Sequence, residues 1–210
     1  MKERRRDRPG GNRPGGSGGT WRSERVKRVY LDHIAATPLD SQVVEAMLPF
    51  LKDKFGNPQS LHSAGQEALE AVEESRARVA ELIGSSAQDI FFTSSGSEAN
   101  NFAVKGLALA RRDKGKHIVL SAVEHQSVLH SARALEKFGF SSTLVPVDRD
   151  GLVDPEDVRK AIQKDTVLVS VMLANSEVGT IEPAAEIARV CRSAGVPVHT
   201  DAVAAAGNIP

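Results

Sequence analysis

From Tyr30 onward the apolar positions switch repeatedly between two periods. Short runs suited to buried strands occur at 90–93 (Ile90-Phe91-Phe92-Thr93), 117–120, 143–147, 166–173 and 196–200. Helical spacing fills the intervals. Val43, Val44, Met47 and Leu48 share one face behind a cap at Asp40 or Ser41, and Gly56-Asn57-Pro58 breaks that helix. Ser63 with Gln66 reads as a capping box opening a long helix that Gly84 ends. Phe102, Val104 and Leu107 mark a third helix, and residues 127–138 a fourth. Asp154-Pro155-Glu156-Asp157 places a cap, a first-turn proline and two acids at the start of a fifth. A sixth covers 184–194, while Val29-Tyr30-Leu31 is a short extended start.

Five strands alternating with helices predict an α/β fold: a mostly parallel sheet with helices on both faces and right-handed crossovers. With 210 residues, 40% hydrophobic and 26% charged, the chain has enough apolar material for one sizeable globular domain. No apolar stretch reaches the length of a spanning helix, and no secretory signal pattern opens the chain. The single cysteine, Cys191, sits in a helical pattern and reads as a small core residue, which fits a reducing, cytoplasmic setting without membrane contact.

The zero net charge conceals an asymmetry. Residues 1–28 hold ten Lys/Arg against three Asp/Glu, and the remainder carries the compensating −7. Rich in Gly, Arg and Pro, that stretch reads as a disordered basic tail, with weak nucleic-acid binding as its sharper alternative. Residues 29–210 read as the folded part.

Four strand ends carry candidate chemistry. Thr93-Ser94-Ser95-Gly96-Ser97-Glu98 joins a strand to a helix, where free N–H groups suit a phosphate, although such turns are often only caps. His125, just past a strand, could stack on a planar ligand, move protons, or be a satisfied structural histidine. Asn175 could donate to a phenolic or carboxylate oxygen, or shape its turn. Asp201 ends an apolar run, where a carboxylate is costly unless a cation faces it. It could instead cap a helix; a metal is disfavoured because only His199 stands near with ligand chemistry. Together they describe one ligand with a phosphate, a planar ring, a ring oxygen and a protonated ring nitrogen. Pyridoxal 5′-phosphate answers that description.

The order and wording of these segments resemble the cysteine desulfurases of the class V aminotransferase family, fold type I. The likeness spans roughly 29–210 and includes Tyr30-Leu31-Asp32, Ala35-Ala36-Thr37-Pro38, Phe55-Gly56-Asn57-Pro58, Phe92-Thr93-Ser94-Ser95-Gly96-Ser97-Glu98-Ala99-Asn100-Asn101, Glu124-His125, Asn175-Ser176-Glu177-Val178-Gly179 and His199-Thr200-Asp201-Ala202. The resemblance implies that Gly96 and Ser97 hold the cofactor phosphate and that His125 stacks over the ring. It implies that Asn175 touches the phenolic oxygen or the substrate, and that Asp201 pairs with the ring nitrogen. Ala35-Ala36-Thr37 resembles a loop that approaches the substrate. The implied activity is removal of sulfur from L-cysteine, giving alanine and an enzyme persulfide. The implied setting is a homodimer serving iron–sulfur scaffold or sulfur-carrier proteins and tRNA thiolation.

The chain also departs from the family. The Schiff-base lysine and the sulfur-accepting cysteine belong beyond the aspartate, whereas the last lysine here is Lys164 and Cys191 does not match. Ala204 stands where the family usually has glutamine. The resemblance implies a seven-stranded sheet, so two strands are expected to be missing, and the strand at 90–93 to lack neighbours. The expectation is a partial domain, inactive alone and prone to aggregate. A selenocysteine lyase, another class V enzyme and a catalytically silent module are the alternatives.

Overall fold

A computed structural model of the chain describes residues 29–33 and 35–209. The predicted basic tail therefore lies outside the described residues. Val29–His33 falls in a unit of its own, extended rather than strand-paired, with the Tyr30 and His33 rings meeting edge-on at 5.2 Å.

Among the described residues of the second unit six α-helices and four strands follow. They are α1 (Ser41–Lys52), α2 (Ser63–Ile83), α3 (Gly96–Ala110), β1 (His117–Ser121), α4 (Gln126–Leu135), β2 (Ser141–Val145), α5 (Pro155–Ala161), β3 (Thr166–Ser170), α6 (Ala184–Ala194) and β4 (Val198–His199). All strand pairs are parallel, in the order β2-β1-β3-β4. The α/β class is as the alternating periods require.

The sheet has a core on each face because successive strand side chains point to opposite sides. Ile118, Leu120 and Leu168 pack with Val104 and Ala108 of α3 and with Val128, Ala132 and Leu135 of α4. Val119, Val145 and Val169 face the other way, onto Val158 of α5 and Ile187 and Cys191 of α6. β1 and β3 are buried at every residue, which is why they read as unbroken apolar runs.

Several local signals act as the sequence suggests. Asp40 Oδ1 accepts from the Gln42 N–H at 2.8 Å, Asp154 Oδ1 from Glu156 N–H at 2.8 Å ahead of Pro155, and Gly84 closes α2 at φ 66°. The capping box at Ser63 and Gln66 is not formed. His62 is the cap instead, its Nδ1 accepting from Gly65 N–H at 3.3 Å. Imidazole nitrogen can do what a hydroxyl does there, and it stands one residue earlier.

The segment at 90–93, expected as a strand without its neighbours, is not formed as a strand. Ile90 is buried, but Phe91 and Phe92 are 69% and 52% exposed, and among the described residues no strand pairs with this segment. Extended backbone becomes a strand only when a neighbour takes its N–H and C=O groups. Two further strands are shorter or shifted: β2 begins at Ser141 rather than 143, and β4 has two paired residues.

Candidate functional site

The order of the strands reverses at β1, whose neighbours are β2 on one side and β3 on the other. In such sheets the crevice beyond the carboxyl ends of the diverging strands is the usual ligand position. Glu124 and His125 follow β1, Met172 and Asn175 follow β3, and Asp201 follows β4, so the candidate residues gather at this end.

Asp201 is 8% exposed. Its Oδ1 accepts from Val203 N–H at 3.0 Å and its Oδ2 from Asn100 Nδ2 at 2.7 Å. Among the described residues no Lys, Arg or His lies within ion-pair distance of it. The carboxylate is therefore held by dipoles alone, with lone pairs left for a cationic partner.

Asn100 sends its second amide hydrogen to Ser127 Oγ at 2.8 Å. Ser127 Oγ lies 2.7 Å from His125 Nδ1, which also receives the Ser127 N–H at 3.2 Å. Since that N–H can only donate, Nδ1 is an acceptor, and the neutral imidazole carries its proton on Nε2. A continuous chain of bonds, Asp201–Asn100–Ser127–His125, thus orients both the acid and the ring.

The turn before α3 approaches the same place. Ser95 caps α3, its Oγ accepting from Glu98 N–H at 3.2 Å, while Ala99 N–H goes to the Ser95 carbonyl. Glu98 reaches back to take the Ser94 hydroxyl and N–H, both at 2.7 Å, and these bonds hold its carboxyl below the usual range. The N–H groups of Gly96 and Ser97 are left at the positive end of a 15-residue helix. A Cβ on Gly96 would stand 2.6 Å from Val203 Cγ2, so the turn and the Asp201 segment touch.

Asn175 stands apart from this chain of bonds. Its Oδ1 accepts from the N–H groups of Glu177 and Val178 at 2.8 and 3.2 Å, and its Nδ2 donates to the Val123 carbonyl at 3.2 Å and the Met172 sulfur at 3.5 Å. The amide as it stands shapes its loop and ties that loop to the one carrying His125. Cys191 is fully buried in α6, and burial pushes its thiol up to about 11, so it is no thiolate. No cluster of three metal-ligating side chains occurs among the described residues.

Sequence reasoning quoted Asn100 and Glu124 without giving them roles and passed over Ser127 and Ser170. One signal was available: Asn100, Val104 and Ala108 form a single buried stripe of α3, and an amide on an apolar stripe demands partners.

A family model described as aminotransferase class-V matches residues 29–210. The chain is 52% identical over 184 residues to the cysteine desulfurase IscS of Dictyoglomus turgidum, covering 88% of this chain and 47% of that protein. It is 46% identical over 184 residues to the cysteine desulfurase IscS of Methanosarcina thermophila, with 88% and 46% covered. Among solved structures, a NifS-like protein superposes with a TM-score of 0.79 at 39% identity, covering 82% of this chain and 48% of that one. SspA in complex with cysteine gives 0.78 at 36%, with 81% and 49% covered. The chain spans about half the length of the curated relatives it matches. It belongs to the aminotransferase class-V family and is similar, along most of its length, to that family's cysteine desulfurases.

Proposed function

We propose that this chain forms the cofactor-holding part of a pyridoxal-phosphate-dependent cysteine desulfurase. The observation that carries the reading is Asp201: a buried carboxylate without a cation, bonded to Asn100 on the same helix whose first turn offers the Gly96 and Ser97 N–H groups. Opposite ends of one ligand, a cationic ring nitrogen and a phosphate dianion, match those two features.

Each residue then has a physical task. The Gly96 and Ser97 N–H groups donate to phosphate oxygens. Glycine at 96 lets the backbone approach without a Cβ striking Val203. Asn100 and the Val203 N–H fix the Asp201 carboxyl, whose remaining lone pairs would face the ring nitrogen and favour its protonated form. His125, anchored through Nδ1, holds its ring in one orientation over the ligand and keeps a proton on Nε2. Asn175 shapes the adjoining loop and could reach the ring oxygen only by releasing a present partner. When bound, the cofactor supplies an electron sink for cleavage at the amino acid.

L-cysteine as substrate is supported by the names of the relatives and by the cysteine held in the SspA structure. The further expectations of a persulfide, a homodimer and delivery of sulfur to scaffold or carrier proteins rest on the same family. The lysine that such chemistry requires is not among the residues placed here, Lys164 being the last in the chain. The test is a ¹⁵N-labelled titration with pyridoxine 5′-phosphate, which has the ring and phosphate but no aldehyde to react with surface lysines. Shifts should concentrate at Gly96, Ser97, Asn100 and the His125 ring; shifts scattered over lysine-rich surface would contradict the reading.

A further inference from the structure

Glu124 lies in the crevice between β1 and β3 and is 4% exposed. Its Oε1 receives two donors, Ser121 Oγ at 2.8 Å and Met172 N–H at 2.7 Å. Its Oε2 has one neighbour, Ser170 Oγ at 3.3 Å, and Ser170 Oγ is in turn 2.8 Å from His199 Nδ1. The carboxyl therefore bridges the ends of β1 and β3 and reaches β4 through one hydroxyl.

The groups facing it include no cation. Asp201 contributes a like charge, and burial holds His199 below the usual imidazole range, toward its neutral form. The adjoining His125 accepts at Nδ1. Two ionised carboxylates in this crevice would repel each other without compensation.

We propose that Glu124 is a positioning residue that carries a proton on Oε2, so that it and Asp201 hold one negative charge between them and Asp201 is the anion left to face the ligand. The oxygen follows from geometry, since Oε1 is already filled by two donors. The Glu124 hydroxyl then donates to Ser170 Oγ, and the Ser170 hydroxyl donates to His199 Nδ1, leaving the His199 proton on Nε2. Burial, with Asp201 adding to it against the three hydrogen bonds, pushes the Glu124 carboxyl up to about 7, in keeping with this assignment. The inference rests on the proposed cofactor reading for what Asp201 faces, but not for the proton itself.

The experiment is isotope-edited infrared spectroscopy of the 210-residue chain without ligand, on the wild type and on E124Q and E124A. Glutamine can donate from its amide to Ser170 Oγ as the protonated acid does; alanine leaves Ser121, Ser170 and Met172 N–H unmatched. A protonated carboxyl band present at pH 6 and missing from E124Q is expected. E124Q should keep its folding constant at pH 6 within about twofold and keep the His199 Nε2–H tautomer, whereas E124A should lose about tenfold or more. Absence of the band at pH 6, or an E124Q as weakened as E124A, overturns the proposal. Should E124A fail to fold, the band and E124Q still decide. Because no cofactor is present, this outcome is independent of whether pyridoxine 5′-phosphate binds.

Discussion

Asn100 Nδ2 stands 2.7 Å from Asp201 Oδ2, joining residues 101 positions apart in the chain across the junction between α3 and the end of β4. The same amide holds Ser127, so removing it strips two buried partners at once. Asn100→Ala is expected to cost about 1–3 kcal/mol of unfolding free energy for each group left unsatisfied. Asn101→Ala alters a half-buried neighbour bonded only to the Ser97 carbonyl and to Lys105, and should cost less, about 1 kcal/mol. Denaturant titration of the two variants side by side measures the difference.

The buried acid at Glu124 gives stability a definite pH dependence. Its carboxyl titrates near 7 in the folded chain against 4.5 as the ordinary value. Folding therefore takes up a proton between those pH values. Stability from this group is fully present below the lower value and falls as pH rises to the upper one, by roughly 3 kcal/mol. Subtracting the E124Q profile from that of the wild type isolates the contribution. A difference that grows in the opposite direction would refute it.

Gly96 and Val203 offer a test by paired substitution. Gly96→Ala brings a methyl group against Val203 Cγ2 and is expected to destabilise by about 1–3 kcal/mol and to weaken phosphate-ester binding. Val203→Ala opens the space, so the double variant should recover most of both losses. Calorimetric melts and pyridoxine 5′-phosphate titrations read the two effects separately.

The apolar face of α1 has no buried residue. Val43, Val44, Met47, Leu48 and Phe50 are all exposed, as are Phe91, Phe92 and Phe102. Such surface attracts hydrophobic dyes and other copies of the chain. The isolated chain should enhance ANS fluorescence and self-associate with concentration, and Met47→Lys with Leu48→Lys should reduce both. A monodisperse preparation indifferent to the dye would contradict this.

The fold class and the placing of the candidate residues were legible because each rests on a local signal. Apolar runs marked β1 and β3, and the Asp154-Pro155 start marked α5. The segment Ile90-Phe91-Phe92-Thr93 carries a buried-strand pattern but was expected to lack neighbours, and such a pattern states a preference that only a paired neighbour realises. Asp201 was legible as a charge at the tip of an apolar run. Asn100, Ser127 and Glu124 were not, because their meaning lies in contacts between elements far apart in sequence. No spacing along the chain announces that Ser121, Ser170 and Met172 converge on one carboxyl. Likewise, the Asn175 amide could be read two ways until its four partners were visible, Val123 among them from the loop carrying His125.

The central claim is that Asp201 and the Gly96–Ser97 turn hold the two ends of one vitamin B6 phosphate. Calorimetric titration of the chain with pyridoxine 5′-phosphate tests it directly, with Asp201→Ala against Arg159→Ala as control, an exposed residue of α5, which packs on the sheet face opposite α3 and α4. The account predicts saturable one-to-one binding that Asp201→Ala weakens by about tenfold or more and Arg159→Ala leaves unchanged. Equal affinity in the wild type and Asp201→Ala would contradict it.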